Sequence, residues 1–201
     1  MEKVKIAVFV SGGGTNLQAI LDASDRGDLP HGEIALVLSS KPDVYALERA
    51  KNHNIPGVVV CRKALGDRFE AEIERQLAAY GIEMIVLAGF MSILSADFTD
   101  KWDRRIINVH PALIPSFCGK GYWGLHVHEA ALAYGVKVTG ATVHYVNAIP
   151  DGGQILLQKA VDVHEGDTPE VLQRRVMEEA EWILLPRACE MVAERICGER
   201  K

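Results

Sequence analysis

The feature that most constrains this chain is an apolar run, Val4 to Val10, broken only by Lys5. It stops at Ser11-Gly12-Gly13-Gly14, and helical spacing follows at once through Leu17, Ile20 and Leu21. An apolar run of this length bounded by glycine reads as a strand buried on both faces. The pattern then repeats. Ile34 to Leu38 reads as a second strand, closed by Ser39-Ser40-Lys41-Pro42, and Tyr45 to Asn52 as a short helix. Val58 to Val60 is a third strand, Asp67 to Tyr80 a helix, and Met84 to Leu87 a fourth strand entering Ala88-Gly89-Phe90-Met91. Strand alternating with helix predicts an α/β fold: a mostly parallel open sheet with helices on both faces. Such sheets bind ligands outside the carboxyl ends of their strands. The loops after Val10, Leu87 and Val109 are therefore expected on one edge.

The remainder adds antiparallel character. Ile106 to Val109 is a fifth strand, ended by His110-Pro111, because proline leaves the hydrogen-bonded ladder. Gly119 to Gly124 reads as a loop and Val127 to Tyr134 as a helix. Lys137 to Val146 and Ile155 to Val163 read as strands, with Asp151-Gly152-Gly153 as a hairpin-like turn between them. Thr168 to Arg195 is a long amphipathic helical stretch with Pro169 in its first turn. Pro186 is expected to kink or break it.

The chain has 201 residues, enough for a single domain, and no internal repeat, linker or low-complexity segment. Its 22 Lys and Arg against 27 Asp and Glu give a net charge of −5. That argues against a surface that coats nucleic acid, but leaves room for a local loop that binds a small anion. Cys61, Cys118, Cys189 and Cys197 lack close metal-ligand spacing and are too few for a disulfide framework. They read as reduced thiols in the cytoplasm. The N-terminal apolar run is too short and lightly charged for a signal peptide, and no run approaches membrane-spanning length.

Gly12-Gly13-Gly14-Thr15-Asn16 lies between a strand and a helix. Glycines let backbone N–H groups approach an anion, and a helix N-terminus favours negative charge. Leu17 occupies the third glycine position of a dinucleotide fingerprint, and no lysine follows where a nucleoside-triphosphate loop needs one. A phosphomonoester fits better. The alternative is a tight turn in which Asn16 caps the helix.

Strand alternation puts Asn108 and His110 on one face. An amide N–H and a protonatable imidazole suit the oxyanion of an acyl-transfer intermediate. Equally, His110 could be satisfied locally at a strand end. Asp151, if near His110, would favour the imidazolium and raise its pKa; otherwise it merely shapes its turn. His126 and His128 have no third ligand close in sequence and read as surface or helix-start residues rather than metal ligands. His144 could border the site or sit in the core. No nucleophile-elbow pattern or strong Cys-His pair is present, so direct attack by a substrate amine is the simpler chemistry.

Together, Ser11 to Gln18, Ala88 to Met91, Asn108 to Pro111 and Asp151 to Gly153, in this order and spacing, resemble the phosphoribosylglycinamide formyltransferase family over nearly the whole chain. The resemblance implies a Rossmann-like formyltransferase fold. Residues 1–100 would be the phosphate-binding half, and residues 101–201 the folate-binding and catalytic half. It implies transfer of a formyl group from 10-formyltetrahydrofolate, the donor co-substrate, to glycinamide ribonucleotide in purine synthesis. No metal, nucleic acid or membrane would take part, and the chain would be a monomer or homodimer. Asn108 and His110 would polarise the formyl carbonyl, His110 would donate a proton, and Asp151 would hold His110 charged. Gly12, Gly13, Gly14, Thr15 and Asn16 would bind the phosphate, and Glu181 the ribonucleotide. Met91, Ser92, Ile93 and Leu94, with Val146, Ala148 and Ile149, would hold the folate, and Arg68 its acidic tail. Ala112 stands where a serine is common in the family, and the loop from Cys118 to Trp123 is longer than in shorter members. Three rivals remain. A methionyl-tRNA formyltransferase is expected to carry a further C-terminal domain, and a formyltetrahydrofolate hydrolase an extra N-terminal one. A non-catalytic phosphate-binding module would need the glycine loop alone.

Overall fold

The computed structural model describes residues 2–200. Its centre is a seven-stranded sheet formed by β1 (Val4–Val10), β2 (Gly32–Ser39), β3 (Gly57–Val59), β4 (Met84–Leu87), β5 (Ile106–His110), β6 (Val138–Tyr145) and β7 (Ile155–Asp162). The strand order is β3-β2-β1-β4-β5-β6-β7. The first five strands run parallel, whereas β6 is antiparallel to β5 and β7 antiparallel to β6. The helices are α1 (Thr15–Asp25), α2 (Tyr45–Asn52), α3 (Arg62–Leu65), α4 (Phe69–Ala79), α5 (Ala96–Lys101), α6 (Leu125–Tyr134), α7 (Pro169–Val176) and α8 (Trp182–Glu199).

Strand β1 shows why the sheet needs two covering layers. Its side chains alternate between faces. Ile6, Val8 and Val10 enter a core shared with Leu17, Ile20 and Leu21 of α1 and with Leu185, Val192 and Ile196 of α8. Ala7 and Phe9 enter a second core with Phe69, Ile73 and Leu77 of α4. Both faces are dry, so β1 is apolar without interruption except at Lys5, near its start.

The expected elements are present, with physically informative differences. Helices α3 and α5 escape sequence reading because neither is long enough to show a period. Helix α5 nevertheless carries a cap, the Ser95 hydroxyl accepting from the Phe98 N–H at 3.2 Å. Pro186 does not break its helix; it lies inside α8. Proline cannot donate to the carbonyl four residues back, here Trp182. The irregularity appears just before that residue, as a widened π turn at Met177–Glu181. Asp151-Gly152-Gly153 is not a tight hairpin turn. Strand β6 ends at Tyr145 and β7 begins at Ile155, so these residues sit in a broad loop. Gly153 lies so close to β6 that a Cβ there would fall 1.7 Å from the Tyr145 carbonyl oxygen. Among the described residues, no helix is long and apolar enough to cross a membrane.

Candidate active site

The loops after β1, β2 and β4 meet at the carboxyl edge of the sheet. The Ser11 hydroxyl lies 2.6 Å from that of Ser40 and accepts the Met91 N–H at 2.9 Å. Glycine is required at position 14 for two reasons. Its φ is +74°, and a Cβ would come within 2.7 Å of the Ala46 Cβ, because α2 backs onto the loop. Gly12 and Gly13 face open space. Asn16 does not cap α1; Gly14 holds that position, with no side-chain cap. Instead the Asn16 amide donates to Glu181 Oε2 at 2.6 Å. Glu181 is buried at the end of the π turn, and burial pushes its carboxyl up to about 7, with the Asn16 amide opposing. The glycine loop and Glu181, far apart in sequence, thus form one site at the N-terminus of α1, where helical N–H groups lack intrahelical partners.

The polar cluster is assembled by the antiparallel strands. Asn108 of β5 faces His144 of β6 in register. The His144 Nδ1 lies 2.8 Å from the Tyr145 carbonyl, which can only accept, so Nδ1 carries the proton. In the neutral ring, Nε2 then accepts from the Asn108 amide at 3.2 Å. That leaves one Asn108 N–H for a ligand. The His110 Nε2–H donates to the Phe117 carbonyl at 2.8 Å, and its Nδ1 lies 3.6 Å from Asp151 Oδ2. The other Asp151 oxygen lies 3.6 Å from His144 Nε2. The Gly119 N–H donates to Asp151 Oδ2 at 2.8 Å.

Asp151 therefore does reach His110, but the net effect on the imidazole is the reverse of the expectation. Burial lowers the His110 pKa, and this outweighs the opposing pull of the Asp151 carboxylate and the Phe117 carbonyl. Burial alone would raise the Asp151 carboxyl. Its neighbours His144 and His110 and the Gly119 N–H more than offset that, leaving it below the usual carboxylate range. The carboxylate sits between two imidazoles and can stabilise a proton arriving on His110.

Asn108, His110 and Asp151 line a cavity of about 490 Å³, together with Met91, Trp123 and the loop from Gly119 to Gly124. A smaller slot of about 140 Å³ shares Asn108 and Asp151 with it. Its other walls are Ser92, Ile93 and Leu94 on one side and Val146, Ala148 and Ile149 on the other. Both halves of the chain contribute to both places, since Met91 to Leu94 adjoin the polar cluster and Glu181 joins the glycine loop.

Arg68 lies in the short turn before α4 and lines neither cavity. Lys120 lines the larger cavity, and Arg62 reaches its edge at Ile93. The Arg62 Nη2 donates to the Ile93 carbonyl at 2.6 Å, and its guanidinium lies 4.3 Å from the Phe69 ring centroid. His126 is a surface residue, with Nδ1 2.9 Å from Glu129. His128 is not: its ring is fully buried on the inner face of α6, and neither nitrogen has a hydrogen-bond partner among the described residues. Burial pushes its pKa down to about 4, and the proximity of His110 adds to this.

Residues 4–189 match the family model described as formyl transferase. The chain belongs to the formyl transferase family. It is 44% identical over 193 residues to the trifunctional purine biosynthetic protein adenosine-3 of Gallus gallus, covering 95% of this chain and 18% of that protein. It thus spans less than a fifth of the length of that relative. It is 38% identical over 200 residues to a chloroplastic phosphoribosylglycinamide formyltransferase of Arabidopsis thaliana, covering 98% of this chain and 66% of the relative. Among solved structures, glycinamide ribonucleotide transformylase 1 from Symbiobacterium toebii superposes with a TM-score of 0.88 at 41% identity, covering 96% of this chain and 88% of that one. The mixed sheet of this chain is thus the family's fold, antiparallel strands included.

Sequence reading left His144 open and missed Arg62, Phe117 and Gly119. The facing of Asn108 and His144 is recoverable once β5 and β6 are paired antiparallel. Phe117 and Gly119 act through backbone atoms, which leave no signature in residue type.

Proposed function

We propose that this chain transfers the formyl group of 10-formyltetrahydrofolate to the amine of 5'-phosphoribosylglycinamide, giving the N-formyl product and tetrahydrofolate in purine synthesis. The observation that carries the proposal is the meeting of Asn108, His110 and Asp151 in one crevice, flanked by an apolar slot and connected through Met91 and Ser11 to the glycine loop. Gly12 to Gly14, Thr15 and Asn16 hold the phosphate through backbone N–H groups, and Glu181 accepts from the ribose hydroxyls. Ser92 to Leu94 face Val146, Ala148 and Ile149 across the slot that takes the pterin, and Met91 lines the adjoining cavity. Arg62, whose guanidinium reaches Ile93 of the slot, is assigned to the acidic end of the folate in place of Arg68.

The unprotonated amine attacks the formyl carbon, and negative charge grows on the formyl oxygen. The free Asn108 N–H and the Nδ1–H of protonated His110 stabilise it. In a largely buried site such fixed donors are worth most, typically about a hundred- to a thousand-fold in turnover each. Asp151 stabilises the charged imidazole. As the intermediate collapses, the bond from the formyl carbon to the folate N10 breaks and N10 leaves with the Nδ1 proton, whose release the lowered His110 pKa eases. The neutral His110 takes up the proton lost by the attacking amine. The four free cysteines support a reducing compartment such as the cytoplasm.

The test mixes purified protein with 10-formyltetrahydrofolate, with and without glycinamide ribonucleotide. Loss of the formyl group only when the ribonucleotide is present supports the proposal. Formate release without it supports a hydrolase, and binding of both ligands without turnover supports a phosphate-binding module.

A further inference from the structure

The loop after β5 does more than border the crevice. Its backbone grips both members of the His110–Asp151 pair: the Phe117 carbonyl takes the His110 Nε2–H at 2.8 Å, and the Gly119 N–H holds Asp151 Oδ2 at 2.8 Å. Phe117 achieves this with a φ of +48°, a left-handed conformation that a bulky side chain rarely adopts. Such a conformation persists only where surrounding contacts impose it. Here the contacts are aromatic. The Phe117 ring meets Tyr122 edge-on at 6.2 Å and Tyr134 edge-on at 6.0 Å between centroids. Tyr134 stands at the end of α6, is 81% exposed and lines neither cavity.

We propose that Phe117 is a positioning residue for His110, its carbonyl fixing the Nε2–H tautomer while Tyr122 and Tyr134 clamp its ring in place. A carbonyl has no proton to give, so the Nε2 position must carry the hydrogen. Nδ1 is then the nitrogen left to face Asp151 and the crevice, and it alone gains and loses a proton during turnover. Without the clamp, Phe117 relaxes to negative φ, its carbonyl turns away, and the ring can rotate or change tautomer. The role assigned to Nδ1 rests on the formyl-transfer reading; the tautomer itself does not.

The experiment labels histidine ring nitrogens with ¹⁵N and reads the His110 tautomer by NMR in the full chain, alongside kcat and KM. Wild type should show a protonated Nε2 and an unprotonated Nδ1 in the neutral ring. Tyr134→Ala and Phe117→Ala should each give a mixture of tautomers and a fall in kcat of roughly ten- to a hundred-fold, with little change in KM. Tyr134→Phe should restore both readouts. The proposal is overturned if wild-type His110 is protonated at Nδ1. It is also overturned if Tyr134→Ala leaves the tautomer intact, whether or not turnover falls. A wild-type protein with the stated tautomer but no formyl transfer would sink the functional reading and leave the positioning of His110 standing.

Discussion

Glu181→Gln should stabilise this protein at alkaline pH while weakening its hold on the ribonucleotide. Burial moves the Glu181 carboxyl from an ordinary value near 4.5 to about 7. Each pKa unit is worth about 1.36 kcal/mol, so the gap converts to an upper bound of roughly 3 kcal/mol. The folded-state pKa lies above the unfolded one. The favourable contribution is therefore complete below about pH 4.5 and lost as pH rises to about 7. Glutamine has nearly the same shape, keeps an oxygen for the Asn16 amide and does not titrate. The variant should match wild type near pH 4.5 and exceed it by up to roughly 3 kcal/mol at pH 8, about 6–12 °C in Tm for a chain of this size. Urea or thermal unfolding at the two pH values measures the difference. The same change replaces a charged hydrogen-bond acceptor with a neutral one, which should raise KM for the ribonucleotide about ten-fold and leave kcat nearly unchanged. A variant no more stable than wild type at pH 8 would refute the reasoning, since the carboxylate would then not be desolvated in the folded chain.

Asp151→Asn should lower kcat about a hundred-fold or more with the fold intact, because the imidazolium formed at His110 loses its counter-charge; steady-state kinetics with circular dichroism check this. Gly14→Ala should destabilise the chain by about 1–3 kcal/mol and raise KM for the ribonucleotide, since alanine meets both the positive φ and the Ala46 Cβ 2.7 Å away. His128→Leu should remove an acid sensitivity. The buried ring stays neutral to about pH 4, whereas its unfolded counterpart protonates near 6.5, so wild type loses stability as pH falls through that window and the variant should not. Unfolding midpoints at pH 7 and pH 5 give the comparison.

The central layer of this fold is legible because its information is local. Met84 to Leu87 and Tyr45 to Asn52 coincide with the observed elements to the residue. In both, apolar pattern and flanking breakers agree. Helices α3 and α5 are shorter than two helical turns, so no repeating pattern marks them. At the site, Asn108 and His110 follow from strand alternation, whereas their meeting with Asp151 depends on a loop whose path sequence does not specify. The net His110 shift runs against the upward pull of Asp151 for a related reason: a charge partner can be guessed from residue type, but burial is a property of the packed molecule. No motif marks the arginine for the folate tail, and Arg68 is only the nearest candidate along the chain. It is Arg62 whose guanidinium reaches the Ile93 carbonyl.

The most direct measurement is the turnover of folded His110→Ala with 10-formyltetrahydrofolate and glycinamide ribonucleotide at saturating concentrations. An unchanged circular dichroism spectrum beside a loss of kcat of about a hundred-fold or more is the predicted result. Full wild-type turnover from that protein would contradict the account, because the transferred proton is assigned to the His110 Nδ1.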